Sequence, residues 1–178
     1  MNLGVVSVRY ARALLKCGSQ AHLEERVYED MLCLAQSYLQ VPELRFTIDN
    51  PMLSSQKKES LLLTASGVEP SDITRNFIRL VLKEGRENAL QLMANSYITL
   101  YRKQKNIIQG KLITAAAIGA ESGNKIKAMV EQRTQGTVEF QTEVNPELIG
   151  GFVLEYDTYR LDASVKNKLR TILSQLKK

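Results

Sequence analysis

At 178 residues the chain has room for one large domain or two small ones, and with 44% hydrophobic and 24% charged residues its composition is that of an ordinary globular protein. No run of about 18 apolar residues could span a bilayer, and no secretory or Arg/Ser-rich transit segment precedes the first helix, so the protein is expected to stay in the compartment where it is made. The formal charge of +5 is uneven: Met1–Leu100 balances eleven basic against eleven acidic residues, whereas Tyr101 onward carries thirteen against eight, so the C-terminal part could face nucleic acid, an anionic surface, an acidic protein or only solvent.

Leu3 to Gly18 reads as a helix with a narrow polar stripe of Arg9, Arg12 and Lys16, while Val6, Val8, Tyr10, Ala11, Ala13, Leu14, Leu15 and Cys17 cover most of the rest. That is more apolar surface than one core requires. A second helix, about Leu23 to Leu39, carries Val27, Met31, Leu34, Ala35 and Tyr38 and stops near Val41-Pro42. Cys17 and Cys33 fall on these two helices without a Cys-x-x-Cys and with only His22 nearby, which predicts buried thiols acting as small hydrophobes and no metal site or disulfide. Pro42 to Asp49 is a short helical piece, broken by Asn50-Pro51. Ser54 or Ser55 can cap a helix over Gln56 to Ala65 with Leu61, Leu62 and Leu63 inside, ended by Gly67. Pro70-Ser71-Asp72 starts the next helix, to Glu84, where Ile73, Phe77, Leu80 and Val81 are extended by Ile78 and Leu82 into a second over-wide apolar arc. Gly85 suits the C′ position, and Asn88 to Lys105 is a long helix with Leu90, Leu92, Met93, Ser96, Tyr97, Leu100 and Tyr101 aligned. The two wide arcs fit either helices packed on several sides in a bundle or a groove in which a partner helix lies.

From Asn106 the texture changes. Ile107 to Ile118 is strand-like, Ser122 to about Gln132 is a helix with Ile126, Met129 and Val130 inside, and Thr137 to Val144 alternates as a strand. After the Asn145-Pro146 turn and Gly150-Gly151, Phe152, Leu154 and Tyr156 alternate with Val153, Glu155 and Asp157. Tyr159 and Leu161 resume the alternation, which predicts a hairpin about Asp157-Thr158. Asp162 can cap a last helix with Val165, Leu169, Ile172, Leu173 and Leu176 on one stripe and Lys166, Lys168, Arg170, Lys177 and Lys178 off it, expected to pack back on the sheet. The reading is α+β, with an all-helical domain over 1–105 and a small α/β domain with a mixed or antiparallel sheet over 106–178.

No catalytic constellation can be assembled. Gly119-x-x-x-Gly123-Asn-Lys125 is one residue short of a phosphate loop and lacks the following Ser or Thr. Gly150-Gly151 precedes a strand, not a helix, and has no third spaced glycine. Carboxylate pairs such as Glu24-Glu25 and Glu29-Asp30 read as solvated helix surface. A nucleic-acid-binding adaptor is the alternative reading of the basic C-terminal part, yet that part has no Arg-rich loop and no aromatic stacking platform.

Four segments in order do carry a resemblance: Arg9-Tyr10-Ala11-Arg12-Ala13-Leu14; Pro42-Glu43-Leu44 with Asn50-Pro51 and Lys57-Lys58-Glu59; Asn76-Phe77-Ile78-Arg79-Leu80 with Glu84-Gly85-Arg86; and Gly150-Gly151-Phe152-Val153-Leu154, Asp157 and Leu161-Asp162-Ala163-Ser164-Val165. Over nearly its whole length the chain resembles the delta subunits of F-type ATP synthases, the oligomycin-sensitivity-conferring protein family. The resemblance implies a six-helix N-terminal bundle that holds the N-terminal segments of the alpha subunits, and a C-terminal domain that holds the C-terminal end of the peripheral-stalk b subunit. It implies a non-catalytic stator without cofactor or metal, which keeps the catalytic head from turning with the rotor, peripheral to the cytoplasmic face of a bacterial plasma membrane, with neither membrane insertion nor nucleic acid. The alpha-binding groove of the family lies between the first and fifth helices, which assigns Tyr10, Ala13 and Leu14 to one wall and Phe77, Ile78 and Leu80 to the other. Gly150, Gly151, Asp157, Asp162 and Ser164 form the C-terminal signature near the stalk contact. The family usually has Gly immediately before the hairpin Asp, where Tyr156 stands here, and often a basic residue in place of Glu155; a positive φ there would strain a tyrosine.

Overall fold

The computed structural model describes the backbone of residues 3–134, 136–156 and 159–176, and their side chains apart from 120–122, 133, 134 and 176. The chain is α+β, with eight α-helices and one four-stranded mixed sheet among the described residues. It divides into two compact units, Met1–Lys103 and Gln104–Lys178.

In the first unit α1 (Leu3–Gln20), α2 (Glu24–Gln40), α3 (Glu43–Asp49), α4 (Ser55–Ala65) and α5 (Asp72–Lys83) are followed by a 3₁₀ turn, Glu87–Ala89, that runs into α6 (Leu90–Lys105). The core is drawn from the 3.6-residue stripes of these helices: Ala11 and Leu14 of α1, Val27, Met31 and Leu34 of α2, Ile78 and Val81 of α5, Leu90, Met93, Ala94 and Tyr97 of α6. Tyr97 is fully buried because its hydroxyl donates to the Glu24 carbonyl at 3.0 Å, and burial raises its pKa. Tyr28 stacks on Tyr101 at 4.3 Å and accepts a hydrogen bond from Arg102 Nε at 2.8 Å.

Two expectations change here and one open choice is resolved. Cys17 and Cys33 are exposed, because each lies on its helix away from the buried stripe. Only Leu62 of the three α4 leucines is buried; Leu61 is 41% exposed, since consecutive residues point 100° apart and cannot all face the α2–α5 side on which α4 packs. The N-cap of α4 is Ser54, with no side-chain hydrogen bond.

In the second unit β1 (Ile107–Thr114) pairs in parallel with β2 (Thr137–Val144), and α7 (Ala120–Thr134) makes the crossover that a parallel pair needs. A 3₁₀ turn at Pro146–Leu148 leads into β3 (Phe152–Tyr156), which pairs antiparallel with β1 and with β4 (Tyr159–Asp162). The sheet order is β2-β1-β3-β4. Register places Val138, Leu112 and Leu154 on the face that α7 covers, where they enclose a core with Val130. Met129, expected inside, is 48% exposed, because α7 covers that face from β2 to Leu154 of β3 and leaves Tyr159 and Leu161 of β4 open beside it.

The last helix, α8 (Val165–Leu176), departs most from expectation. Every residue of it from Val165 to Gln175 is exposed, so it does not pack back on the sheet. Nor does Asp162 cap it. Asp162 ends β4, and its Oδ1 accepts from the Ser164 hydroxyl at 2.6 Å and the Ser164 N–H at 3.0 Å. Ser164 Oγ in turn accepts from Asn167 N–H at 3.1 Å and does the capping, since it stands immediately before the first helical residue.

Candidate docking surfaces

The six residues expected to line the groove divide by burial. Leu14, Phe77 and Ile78 are at most 7% exposed and belong to the core of their unit, whereas Tyr10 is half-buried, Ala13 exposed and Leu80 48% exposed. Tyr10 meets Phe77 edge-on, ring centroids 6.4 Å apart at 65°, which marks the flank where α1 and α5 face each other. The Arg86 guanidinium lies over the Tyr10 ring and holds it from the other side. At 100° per residue Tyr10 and Ala13 lie within about 60° on α1, and Ile73, Phe77 and Leu80 lie within about 60° on α5. The open apolar walls are therefore Tyr10 and Ala13 opposite Ile73, the rim of Phe77 and Leu80. Ile73 is an addition to the expected set, and its signal was its place seven residues before Leu80 on the same stripe.

The orientation of α5 is fixed by a buried carboxylate. Asp30 of α2 is 3% exposed, and its Oδ2 accepts from Ser71 N–H at 2.9 Å, Ser71 Oγ at 2.9 Å and Thr74 Oγ1 at 2.7 Å, at the positive end of α5. Ser71 also caps α5 by accepting from Thr74 N–H at 3.2 Å. A second tie, between Lys58 Nζ and Glu87 Oε1 at 2.8 Å, joins α4 to the turn before α6. Burial is the largest single influence and works to raise the Glu87 carboxyl, but the hydrogen bond from Lys58, a backbone hydrogen bond and the Lys58 charge together outweigh it and hold the group below its ordinary value of 4.5.

In the second unit the signature residues are structural. Gly151 has φ +74°, and a Cβ there would run into the Ala163 carbonyl, so only glycine fits. A Cβ on Gly150 would stand 3.0 Å from Val165 Cγ2, and the Gly150 carbonyl accepts from Val165 N–H at 3.0 Å. The glycine pair thus lets the loop before β3 pass close to the chain that starts α8. Hydrogen bonds from the Ser164 hydroxyl and N–H lower the Asp162 carboxyl. Asp157 and Thr158 lie outside the described residues. Tyr156 is an ordinary strand residue paired with Gly110 and Tyr159, without the positive φ that would strain it.

Among the described residues two apolar surfaces stand open in this unit. One is a recess of about 420 Å³ on the α7 face of the sheet, lined by Met129, Val130, Leu154, Tyr156, Tyr159 and Leu161 together with Arg160. The other is the α8 stripe, where Val165, Leu169, Ile172 and Leu173 are 38–57% exposed. Among the described residues no group of three or more His, Cys, Asp or Glu is placed to hold a metal, and no helix is long and apolar enough to cross a membrane.

Comparison with known proteins places these surfaces in context. Residues 6–176 match the family model described as ATP synthase delta (OSCP) subunit. The chain is 47% identical over 176 residues to the ATP synthase subunit delta of Phocaeicola vulgatus, covering 98% of this chain and 95% of that one. It is 41% identical to that of Parabacteroides distasonis, covering 99% and 98%, and 39% identical to that of Bacteroides fragilis, covering 98% and 95%. In fold it is similar to a chain in the mitochondrial ATP synthase hexamer of Toxoplasma gondii, with a TM-score of 0.65, 23% identity and 97% of each chain covered.

Proposed function

The chain belongs to the ATP synthase delta (OSCP) subunit family, and from that premise we propose that it joins the catalytic head to the peripheral stalk by holding one partner on each of its two units. Its work is mechanical and non-catalytic: as a stator subunit it is peripheral to the membrane complex and resists the torque of the rotor. The alpha-subunit N-terminal segments are assigned to the first unit, the C-terminal end of the b subunit to the second, and the assembly to the cytoplasmic face of a bacterial plasma membrane.

The observation that carries this reading is the open apolar strip between α1 and α5, with Tyr10 and Ala13 on one side and Ile73 and Leu80 on the other. An amphipathic segment laid along it completes a surface that the core leaves unfinished. Burying about 600 Å² of apolar area is worth roughly 15 kcal/mol gross, against an association cost of about 4–15 kcal/mol. One groove therefore gives anything from weak to nanomolar binding. A second attachment raises the avidity of the whole without any new contact in the first.

A titration with a peptide from the alpha-subunit N-terminus tests the assignment. Leu80→Asp and Ala13→Asp, both at exposed sites, are expected to weaken binding by about 30-fold, the size of a hot-spot loss, with helical content unchanged. Wild-type affinity in both variants would remove the groove from this account.

A further inference from the structure

We infer that Arg9, Arg12 and Lys16 of α1 form an electrostatic rim that reads acidic side chains along one flank of the segment lying between α1 and α5, and so fixes which face of that segment meets the groove. The inference rests on the reading that the alpha-subunit N-terminal segment occupies the groove, and it adds the chemistry that orients it. Placement is the first support. At 100° per residue the three side chains fall within about 60° of one another on α1, and Arg9 and Lys16 stand about 40° and 60° beyond Ala13, on the side away from the core. All three are exposed, and among the described residues none has an ion pair or a side-chain hydrogen bond.

Charge is the second support. Met1–Leu100 balances its basic and acidic residues, yet the 18 residues of α1 include no acidic one. The opposite rim, beyond Leu80 on α5, consists of Asp72, Asn76 and Lys83, all exposed, whose charges cancel. The other α5 cations lie on the flank turned from the groove and are engaged within the unit: Arg75 Nε donates to the Pro70 carbonyl at 3.1 Å, and Arg79 Nε pairs with Glu59 at 2.6 Å. The Arg86 guanidinium over the Tyr10 ring adds to the α1 side. The groove therefore has one positive wall and one neutral wall. An amphipathic helix with acidic residues on one flank lies down with that flank over α1, because the reverse orientation leaves its carboxylates beside Asp72 and the α1 row unpaired. A second copy of α1 is repelled. An anionic membrane fits less well, because Ala11, Leu14 and Leu15, the apolar face that a lipid surface would take from α1, are buried in the core.

Magnitude sets the division of labour. An exposed ion pair contributes about 1.5- to 5-fold at low salt, so three in a row give roughly 10-fold, most of it in the association rate. The apolar strip of Tyr10, Ala13, Ile73 and Leu80 supplies the larger part of the affinity, and the rim supplies the choice of orientation.

The test is titration of the full chain with a peptide from the alpha-subunit N-terminus of the same source, with association rates followed at low and high salt. The triple variant Arg9→Gln, Arg12→Gln, Lys16→Gln keeps helix-forming side chains at exposed sites. It is expected to bind about 10-fold more weakly at low salt and less than about 2-fold more weakly in about 1 M salt, mostly through slower association, with helical content unchanged. A peptide whose Asp and Glu are replaced by Asn and Gln should bind the wild-type chain with the same loss, and combining the two changes should add nothing further. Wild-type affinity and salt dependence in the triple variant, or a loss that simply adds to that of the neutral peptide, overturns the rim while the groove reading stands. If the peptide does not bind the wild-type chain, or binds and is indifferent to Leu80→Asp, the groove reading falls and the rim with it. Binding of the wild-type chain to anionic phospholipid vesicles that the triple variant loses, with the peptide titration unmoved, would give the row to a lipid surface instead.

Discussion

The two units differ in how far each finishes its own fold. The first closes a core across six helices and spends buried polar groups on its joints, with Asp30 gripping the start of α5 and Lys58 gripping Glu87. The second encloses only five apolar side chains among the described residues, Leu112, Val130, Val138, Val153 and Leu154, and leaves the amphipathic helix exposed from Val165 to Gln175. One is a preformed receptor with a groove cut into a finished surface. The other is an arm whose last element waits for a partner, which lowers its stability alone and couples its ordering to assembly.

The contrast breaks most readily in the core. Ile78→Ala in the first unit is expected to cost about 3–4 kcal/mol in urea unfolding, whereas Leu169→Ala in the free chain should change stability by less than about 0.5 kcal/mol. Equal costs would mean that α8 is packed after all. Next in size, Asp30→Ala leaves Ser71 N–H and Thr74 Oγ1 without their acceptor and should destabilise the first unit by about 2–3 kcal/mol, without altering exchange in α8. Smaller again, Ser164→Ala removes the α8 cap, worth about 1 kcal/mol. Its effect should be confined to faster exchange in Val165–Leu176, leaving the urea transition of the first unit unmoved.

The smallest effect sharpens the contrast through pH. The Glu87 carboxyl is held below its unfolded value by Lys58, so its contribution to stability is full above about pH 4.5 and is lost as the pH falls through the folded value. Acid titration of the first unit should therefore show a component that Lys58→Met removes, with no counterpart in the exchange rates of α8.

Element order was legible in the sequence because caps, prolines and periodicity are local signals. Asn50-Pro51, Pro70-Ser71-Asp72 and Gly85 punctuate the chain where helices begin and end, and strict alternation over Val138–Val144 marks a strand. Which apolar residues stay open was not legible, since that depends on how many neighbours a helix has. Leu14 and Leu80 look alike on a wheel, yet one is core and the other is surface. The free α8 was hidden for the same reason: Val165, Leu169 and Ile172 spell an amphipathic helix whether its face meets its own sheet or another protein. Asp162 and Ser164 both have capping chemistry, and the pairing of Asp162 with Val153 in the sheet decides between them.

The central claim is that two partners are held at once and independently. Sedimentation of the chain with an alpha-subunit N-terminal peptide and a soluble C-terminal segment of the b subunit tests it directly. The account predicts one complex containing all three, from which Leu80→Asp removes only the peptide and Leu169→Asp only the b segment. Competition between the two ligands, or a single variant that releases both without unfolding the chain, would contradict it.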